Sequence, residues 1–379
     1  MPPLRGYARW LYLIPRLTPW ATVYHPSGVE TAEPLLRQLS ISPFQNRLHA
    51  PYDSLDHNQP MPFLLLADAA SSTALEQFVQ HCLIGLTTGS LIALIALGYT
   101  MVYGIIGLIN FAHGDLFMLG AFLTLTLLSA IGIVGIEATT GGALVGLVMC
   151  FLVVPVFCGG LNWAVDRIVY KPLRNAPKLA PLVSAIGVSF IFMNVGLLWG
   201  GAADVNFPKL VSSQNLLGDS AIQFTVKDLL VVLITVPIMV GLTLFVKFTK
   251  LGKAMRAVEQ NPVAAQLMGI HVDRVIGATF VIGGALGGVA SIVYSLYINT
   301  ISFQMGFQNG LYAFTAAVLG GIGKLPGAVL GGLIIGLARS LGSAYLGEKW
   351  TGTLVFTILI VILVFRPSGL LGRSAQEKV

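Results

Sequence analysis

The stretch YGIIGLINFAHGDLFMLGAFLTLTLL, residues 103–128, is hydrocarbon except near its middle, where Asn110, His113 and Asp115 interrupt it. Asp115 is the only Asp, Glu, Lys or Arg between Gln77 and Ile136. An amide, an imidazole and a carboxylate inside such a run have to be explained as catalyst, channel or transport path. The choice depends on what surrounds them.

The surroundings are apolar throughout. Of 379 residues, 55% are hydrophobic and 10% are charged, against roughly a quarter charged in a typical soluble domain. The mean hydropathy is +0.81, and Ile276 to Gly323 carries no Asp, Glu, Lys or Arg. A segment apolar on every side faces lipid or other protein all round, so the expected class is an all-α, polytopic membrane bundle. The 43 glycines fit, because small residues let membrane helices approach closely.

The net charge of +6 raises nucleic acid as a partner, but the positions of the cations argue for a membrane protein with lipid contacts instead. Arg167, Lys171, Arg174 and Lys178 form one cluster, and Lys247, Lys250, Lys253, Arg256 and Arg274 another. Lys324, Arg366, Arg373 and Lys378 complete one side. The other side keeps Lys209, Lys227 and Lys349 beside Glu137, Asp204, Asp219, Asp228 and Glu348. The positive-inside rule then makes the first group and the C-terminus cytoplasmic. Full spans are expected at 78–98, 114–135, 142–163, 182–200, 227–247, 276–297, 328–346 and 352–366. Alternation needs two shorter segments, 99–112 and 309–323, to cross as broken or half-membrane helices, which are tolerated where the freed backbone is buried in protein or lines a cavity.

Residues 1–75 differ in kind, being rich in Pro and polar residues. Their run WLYLIP (10–15) is too short for a signal-peptide core. The expectation is a poorly ordered cytoplasmic extension, or sequence upstream of the true start with Met61 as initiator, ahead of a membrane domain over 76–379. Cys82, Cys150 and Cys158 show no CxxC pairing and no clustered His, so they read as inert embedded thiols rather than a metal or redox site.

On the sided map His113 and Asp115 fall near the cytoplasmic surface, with Gly114 permitting a reversal. The simpler reading is a helix boundary, with Asn110 ending one segment and Asp115 capping the next. The functional alternative places Asn110, His113 and Asp115 on a translocation path or inner gate, since intramembrane polar groups are functional candidates. Catalysis is disfavoured: Asp115 has no intramembrane acidic partner, and no GxSxG frames a serine for His113 to activate. Arg339, in GGLIIGLARSLGSAYLG, either snorkels to the outer interface or lines an outer vestibule and meets a substrate carboxylate. The GGALGG (283–288) and GGLIIG (331–336) runs read as packing faces. No GxxxxGK[ST] is present, so the chain has no such machinery for ATP hydrolysis.

In the basic loop LGKAMRAVEQNPVAAQLMGIHVDRV (251–275), Pro262 is set for the first turn of a short helix capped by Asn261 and stopped by Gly269. Such a helix across the cytoplasmic ends of two spans suits a groove on a partner; the alternative is a loop holding lipid headgroups.

Three blocks carry a resemblance: GSLIALIALGYTMVYGIIGLINFAHGDLFMLGAF (89–122), RAVEQNPVAAQLMGIHVDRVIGATFVIGGALGGVA (256–290) and AFTAAVLGGIGKLPGAVLGGLIIGLA (313–338). In this order the chain from about 76 onward resembles the permease subunit of bacterial branched-chain amino acid ATP-binding cassette importers. The resemblance implies a multi-pass inner-membrane protein that is not itself an enzyme and binds no cofactor. ATP would be used by two cytoplasmic ATPase subunits, alongside a second related permease and a periplasmic amino-acid-binding protein. It also implies an ATPase-coupling loop at Glu259, Ala264, Ala265 and Gly269, with which Arg256 and Pro262 of the same stretch are counted. The neighbouring alternative is a permease for urea or short-chain amides. From another class comes a stand-alone secondary transporter or channel, which would call for ion-coupling acids in the membrane centre.

Overall fold

Long apolar runs with no charge to solvate form helices, because only intra-segment hydrogen bonds satisfy the backbone in hydrocarbon. The computed structural model describes residues 63–372 apart from 109, 133–139, 175, 178 and 219–221, so most of the expected N-terminal extension lies outside the described residues. In chain order come α1 (Phe63–Ile106), α2 (Ala112–Ala130) and α3 (Thr140–Val165). A π-helical turn (Asp166–Tyr170) then leads to α4 (Lys171–Leu173), α5 (Leu179–Gly200) and α6 (Val226–Phe248). There follow α7 (Lys250–Gln260), α8 (Pro262–Leu267), α9 (Val272–Ile298), α10 (Met305–Gly320), α11 (Leu325–Leu346) and α12 (Glu348–Phe365). A two-residue pairing, β1 (Val205–Asn206) against β2 (Thr300–Ile301), ties the α5–α6 connection to the α9–α10 connection.

Among the described residues, eight helical stretches are long and apolar enough to cross a membrane, and they follow the eight expected spans in order. The two short segments fare differently. Residues 99–106 are not a separate element but the end of α1, which runs unbroken to Ile106. Nothing in MVYGII breaks a helix, and the reversal waits for Gly107 at φ +70°. The other short segment is a helix of its own, α10, 16 residues long.

The bundle is centred on α1, α2, α9, α10 and α11. In the candidate spans of α1, α2 and α9, 72% of the best apolar window is buried, against 11% in α12 and 17% in α6, so the latter two present apolar faces outward. The glycine runs serve close packing as expected. A Cβ at Gly284 would lie 2.5 Å from the Cys158 carbonyl oxygen, and one at Gly332 would lie 2.5 Å from the Ala93 Cα.

Both groups of helix ends are tied together. At one end Leu370 and Leu371 donate backbone hydrogen bonds to Leu319 and Gly320, Arg174 pairs with Asp273 at 2.6 Å and Asp166 at 2.8 Å, and Lys171 pairs with Asp273 at 2.7 Å. At the other end Gln80 exchanges two hydrogen bonds with the Gln223 backbone (3.0 and 2.7 Å), and Ser340 donates to the His81 carbonyl at 2.7 Å. The basic clusters share the first end.

Candidate functional site

Asn110, His113 and Asp115 are buried among the helices, at 3%, 1% and 1% exposure. The reason is the path of the chain. His113 packs against Gly98, which sits about 12 Å short of the Ile106 end of α1 at 1.5 Å per residue. After Gly107 the chain therefore folds back along α1 before α2 begins.

The capping role fails. The residue before α2 is Phe111, in helical conformation and with no side-chain cap. Asp115 is in the first helical turn, and its carboxylate accepts the Ser189 hydroxyl of α5. The dipole argument survives, since a carboxylate in the first turn is favoured there.

Asn110 is held by a buried polar chain. Its amide donates to Asn162 Oδ1 (3.1 Å) and its own Oδ1 accepts the Tyr170 hydroxyl (3.0 Å), while Asn162 donates to the Phe280 carbonyl (2.7 Å). Three elements thereby pin the returning segment: α3, its π-helical turn and α9. Each group matters, because a buried amide left without a partner costs about 1–3 kcal/mol.

His113 differs. Both ring nitrogens lack a hydrogen-bond partner, as does Asp115 Oδ1. The imidazole stands edge-on to Tyr99, centroids 4.8 Å apart, and beside Gly287. The N-terminus of α10 meets the same place: a Cβ at Gly310 would lie 3.0 Å from the Tyr99 hydroxyl and from the Gly114 Cα. Two helix beginnings and an unpaired imidazole thus converge at the centre.

At the basic end α8 forms as the sequence predicts. Asn261 Oδ1 accepts from the Val263 and Ala264 amides at 3.0 Å each, Pro262 opens the helix, and Gly269 stops it at φ +85°. Ala265 is buried, whereas Ala264 is exposed with Val263, Leu267 and Met268 at 67%, 83% and 84%. Arg256 donates to the Lys247 carbonyl at 3.1 Å. Glu259 is solvent-exposed, yet the protein beside it raises its carboxyl above the ordinary range, against the opposing pull of Arg256. A cleft of about 970 Å³ joins this region, through Pro262, Gly269 and Arg274, to Gly107 and Leu108 of the returning strand.

Arg339 sits at the opposite end, its guanidinium 4.7 Å from the centre of the Tyr312 ring. It lines a cavity of about 580 Å³, so the structure brings it together with neither Asp115 nor the loop.

Residues 82–364 match the family described as the branched-chain amino acid transport system / permease component. The chain belongs to this family. It is 42% identical over 305 residues to the high-affinity branched-chain amino acid transport system permease protein LivH of Escherichia coli K12, covering 80% of this chain and 98% of the relative. It is 39% identical over the same length, with the same shares of both chains, to BraD of Pseudomonas aeruginosa, a permease of the same description. A probable LivH of Methanocaldococcus jannaschii is 29% identical over 325 residues, covering 82% of this chain and 95% of the relative. No solved structure matches. Membership in a branched-chain amino acid permease family supports the leading reading over a urea permease, a secondary transporter or a channel.

Within this permease, sequence reasoning missed Asn162, Tyr170 and Ser189, the partners of Asn110 and Asp115. Asn162 and Ser189 are polar residues inside runs otherwise apolar, a signal of the same kind that drew attention to Asn110. Among the described residues no group of three or more His, Cys, Asp or Glu gathers to hold a metal.

Proposed function

We propose that this chain is the inner-membrane permease subunit of an ATP-driven importer and forms the translocation path for branched-chain amino acids. It works with a second related permease, a periplasmic amino-acid-binding protein and two cytoplasmic subunits that bind and hydrolyse the ATP. The C-terminus and the 251–275 loop are cytoplasmic, as the charge asymmetry requires.

The observation that carries the reading is α8. It is a capped helix at the basic end with Ala265 anchored in the core while Val263, Leu267 and Met268 stand exposed. An apolar helix face beside a basic loop fits a groove on a partner protein. When the ATPase subunits close on ATP they push α8. Pro262 and Gly269 pass the push into α7 and α9, and Arg256 and Glu259 hold the loop's base. Motion of α9 reaches the Phe280–Asn162–Asn110 chain and so the returning strand beside His113 and Asp115, which forms the inner gate.

The test is uptake of labelled leucine and labelled urea in cells with and without this chain, all other subunits left in place. The expected result is loss of leucine uptake with urea uptake unchanged. Loss of urea uptake alone would overturn the substrate, and leucine uptake surviving without the ATPases would overturn the coupling.

A further inference from the structure

The cavity at the end opposite α8 combines three chemistries in one space. Its apolar wall comes from α1, with Ile84, Leu91, Ile92 and Ile95 on successive turns of one face. Its cation is Arg339 of α11, which makes no ion pair among the described residues and whose guanidinium is met by the Tyr312 ring face. Its anion is Glu348, at the start of α12, whose Oε2 accepts the Ser343 hydroxyl at 2.5 Å. Ser343 lies one turn beyond Arg339 on the same face of α11, and both line the cavity.

Both charges therefore face one cavity without forming an ion pair: Arg339 and Glu348 line it and do not pair within 4 Å. An α-amino acid carries an anion and a cation two bonds apart on one carbon, and a branched-chain one adds an aliphatic group on that carbon's other side. A carboxylate facing a planar guanidinium makes the stronger, two-pronged contact. The volume of about 580 Å³ falls within the roughly 300–1,000 Å³ of ligand pockets, which pair apolar walls with a few placed polar groups.

We propose that this cavity is an entry site for a free zwitterionic amino acid within the permease itself. Arg339 takes the carboxylate, Glu348 the ammonium, and Ile84, Leu91, Ile92 and Ile95 receive the aliphatic side chain. The proposal rests on the import reading above and adds that the permease, and not its soluble partner alone, recognises both charges of the substrate.

The test is equilibrium binding of labelled leucine to the solubilised permease–ATPase complex without the binding protein, with uptake by the complete reconstituted importer measured in parallel. The expected result is saturable binding that unlabelled leucine competes away and neither leucinamide nor 4-methylpentanoate does, since the first lacks the carboxylate and the second the ammonium. Arg339→Gln and Glu348→Gln each weaken binding by about tenfold or more, the scale of a hydrogen bond to a charged group. Arg339→Lys restores part of it, and all three variants still copurify with the ATPases. Leucine uptake with no saturable binding, competition by either analogue as effective as that by unlabelled leucine, or unaltered binding in both Gln variants would overturn the site and leave the import reading standing. Absence of leucine uptake by the unaltered importer would overturn the import reading and the site with it. The competition arm uses the native protein and so holds even if a variant fails to fold.

Discussion

The imidazole of His113 occupies the space that a side chain at Gly98 would need: a Cβ built there would overlap Nε2 and lie 2.5 Å from Cε1. The two residues belong to different helices, and neither can grow without displacing the other. Gly98→Ala is therefore expected to lower stability by about 1–3 kcal/mol, the range for overpacking a filled site. Truncating the ring in the same protein should relieve it, so that Gly98→Ala with His113→Ala melts above Gly98→Ala alone. Thermal unfolding of the three variants in detergent checks this coupling. A double variant no more stable than the single one would show that the two residues do not compete for the space.

Asn162 is the hinge of the chain that holds the returning strand, since it accepts from Asn110 and donates to the Phe280 carbonyl. Asn162→Ala leaves the Asn110 side-chain NH2 buried without its acceptor and removes the tie to α9, and is expected to cost about 1–3 kcal/mol. Asn162→Leu, which also removes the polar group but fills the volume, should cost a similar amount if the hydrogen bonds matter more than the packing. The measurement is the detergent melting temperature of each variant. A fully stable Asn162→Leu would put the weight on packing instead.

The eight spans were legible because hydropathy along a chain reports local chemistry, and each span carries its own signal from Leu91 or Val293 or Leu354 outward. Asn261, Pro262 and Gly269 were legible for the same reason, as cap, first turn and stop are set by neighbours in sequence. The depth of His113 was not. It follows from the path after Gly107 and from partners such as Asn162 and Ser189, 52 and 74 positions from Asn110 and Asp115, which no local periodicity encodes. The end of α1 was misplaced because a helix in protein continues past the thickness that hydropathy assigns to it. The sequence marks Arg339 only as a snorkelling or vestibule residue, and only the fold shows that Glu348 and the Ile84–Ile95 face share its cavity.

Arg174 bridges two acids, Asp166 and Asp273, and Asp166 is buried at the end of α3. Removing the guanidinium leaves Asp166 without its cation and removes one of the ties between this region and α9. Arg174→Gln is expected to lower stability by about 1.5–3 kcal/mol, the scale of a hydrogen bond to a charged group, read as a lower melting temperature. Because Lys171 still pairs with Asp273, the double variant Arg174→Gln with Asp166→Asn should recover part of the loss. No recovery would mean that Asp166 is solvated well enough to stand alone.

The last expectation concerns coupling rather than stability. Gly269 ends α8 at φ +85° with open space around its Cα, so Gly269→Ala meets no clash and costs only backbone strain, about 1–2 kcal/mol. Asn261→Ala removes the cap from the Val263 and Ala264 amides, about 1 kcal/mol of local helix stability. Neither touches the buried bundle, and both should leave membrane insertion intact. If α8 transmits ATPase motion, its fraying lowers transport per ATP hydrolysed while the complex still assembles. Replacing the exposed Leu267 by Asp should go further and weaken assembly itself, because a charge then enters an apolar contact. Copurified ATPase and uptake per ATP, measured on the three variants, separate the two effects. Normal uptake and full assembly in all three would remove α8 from the coupling path.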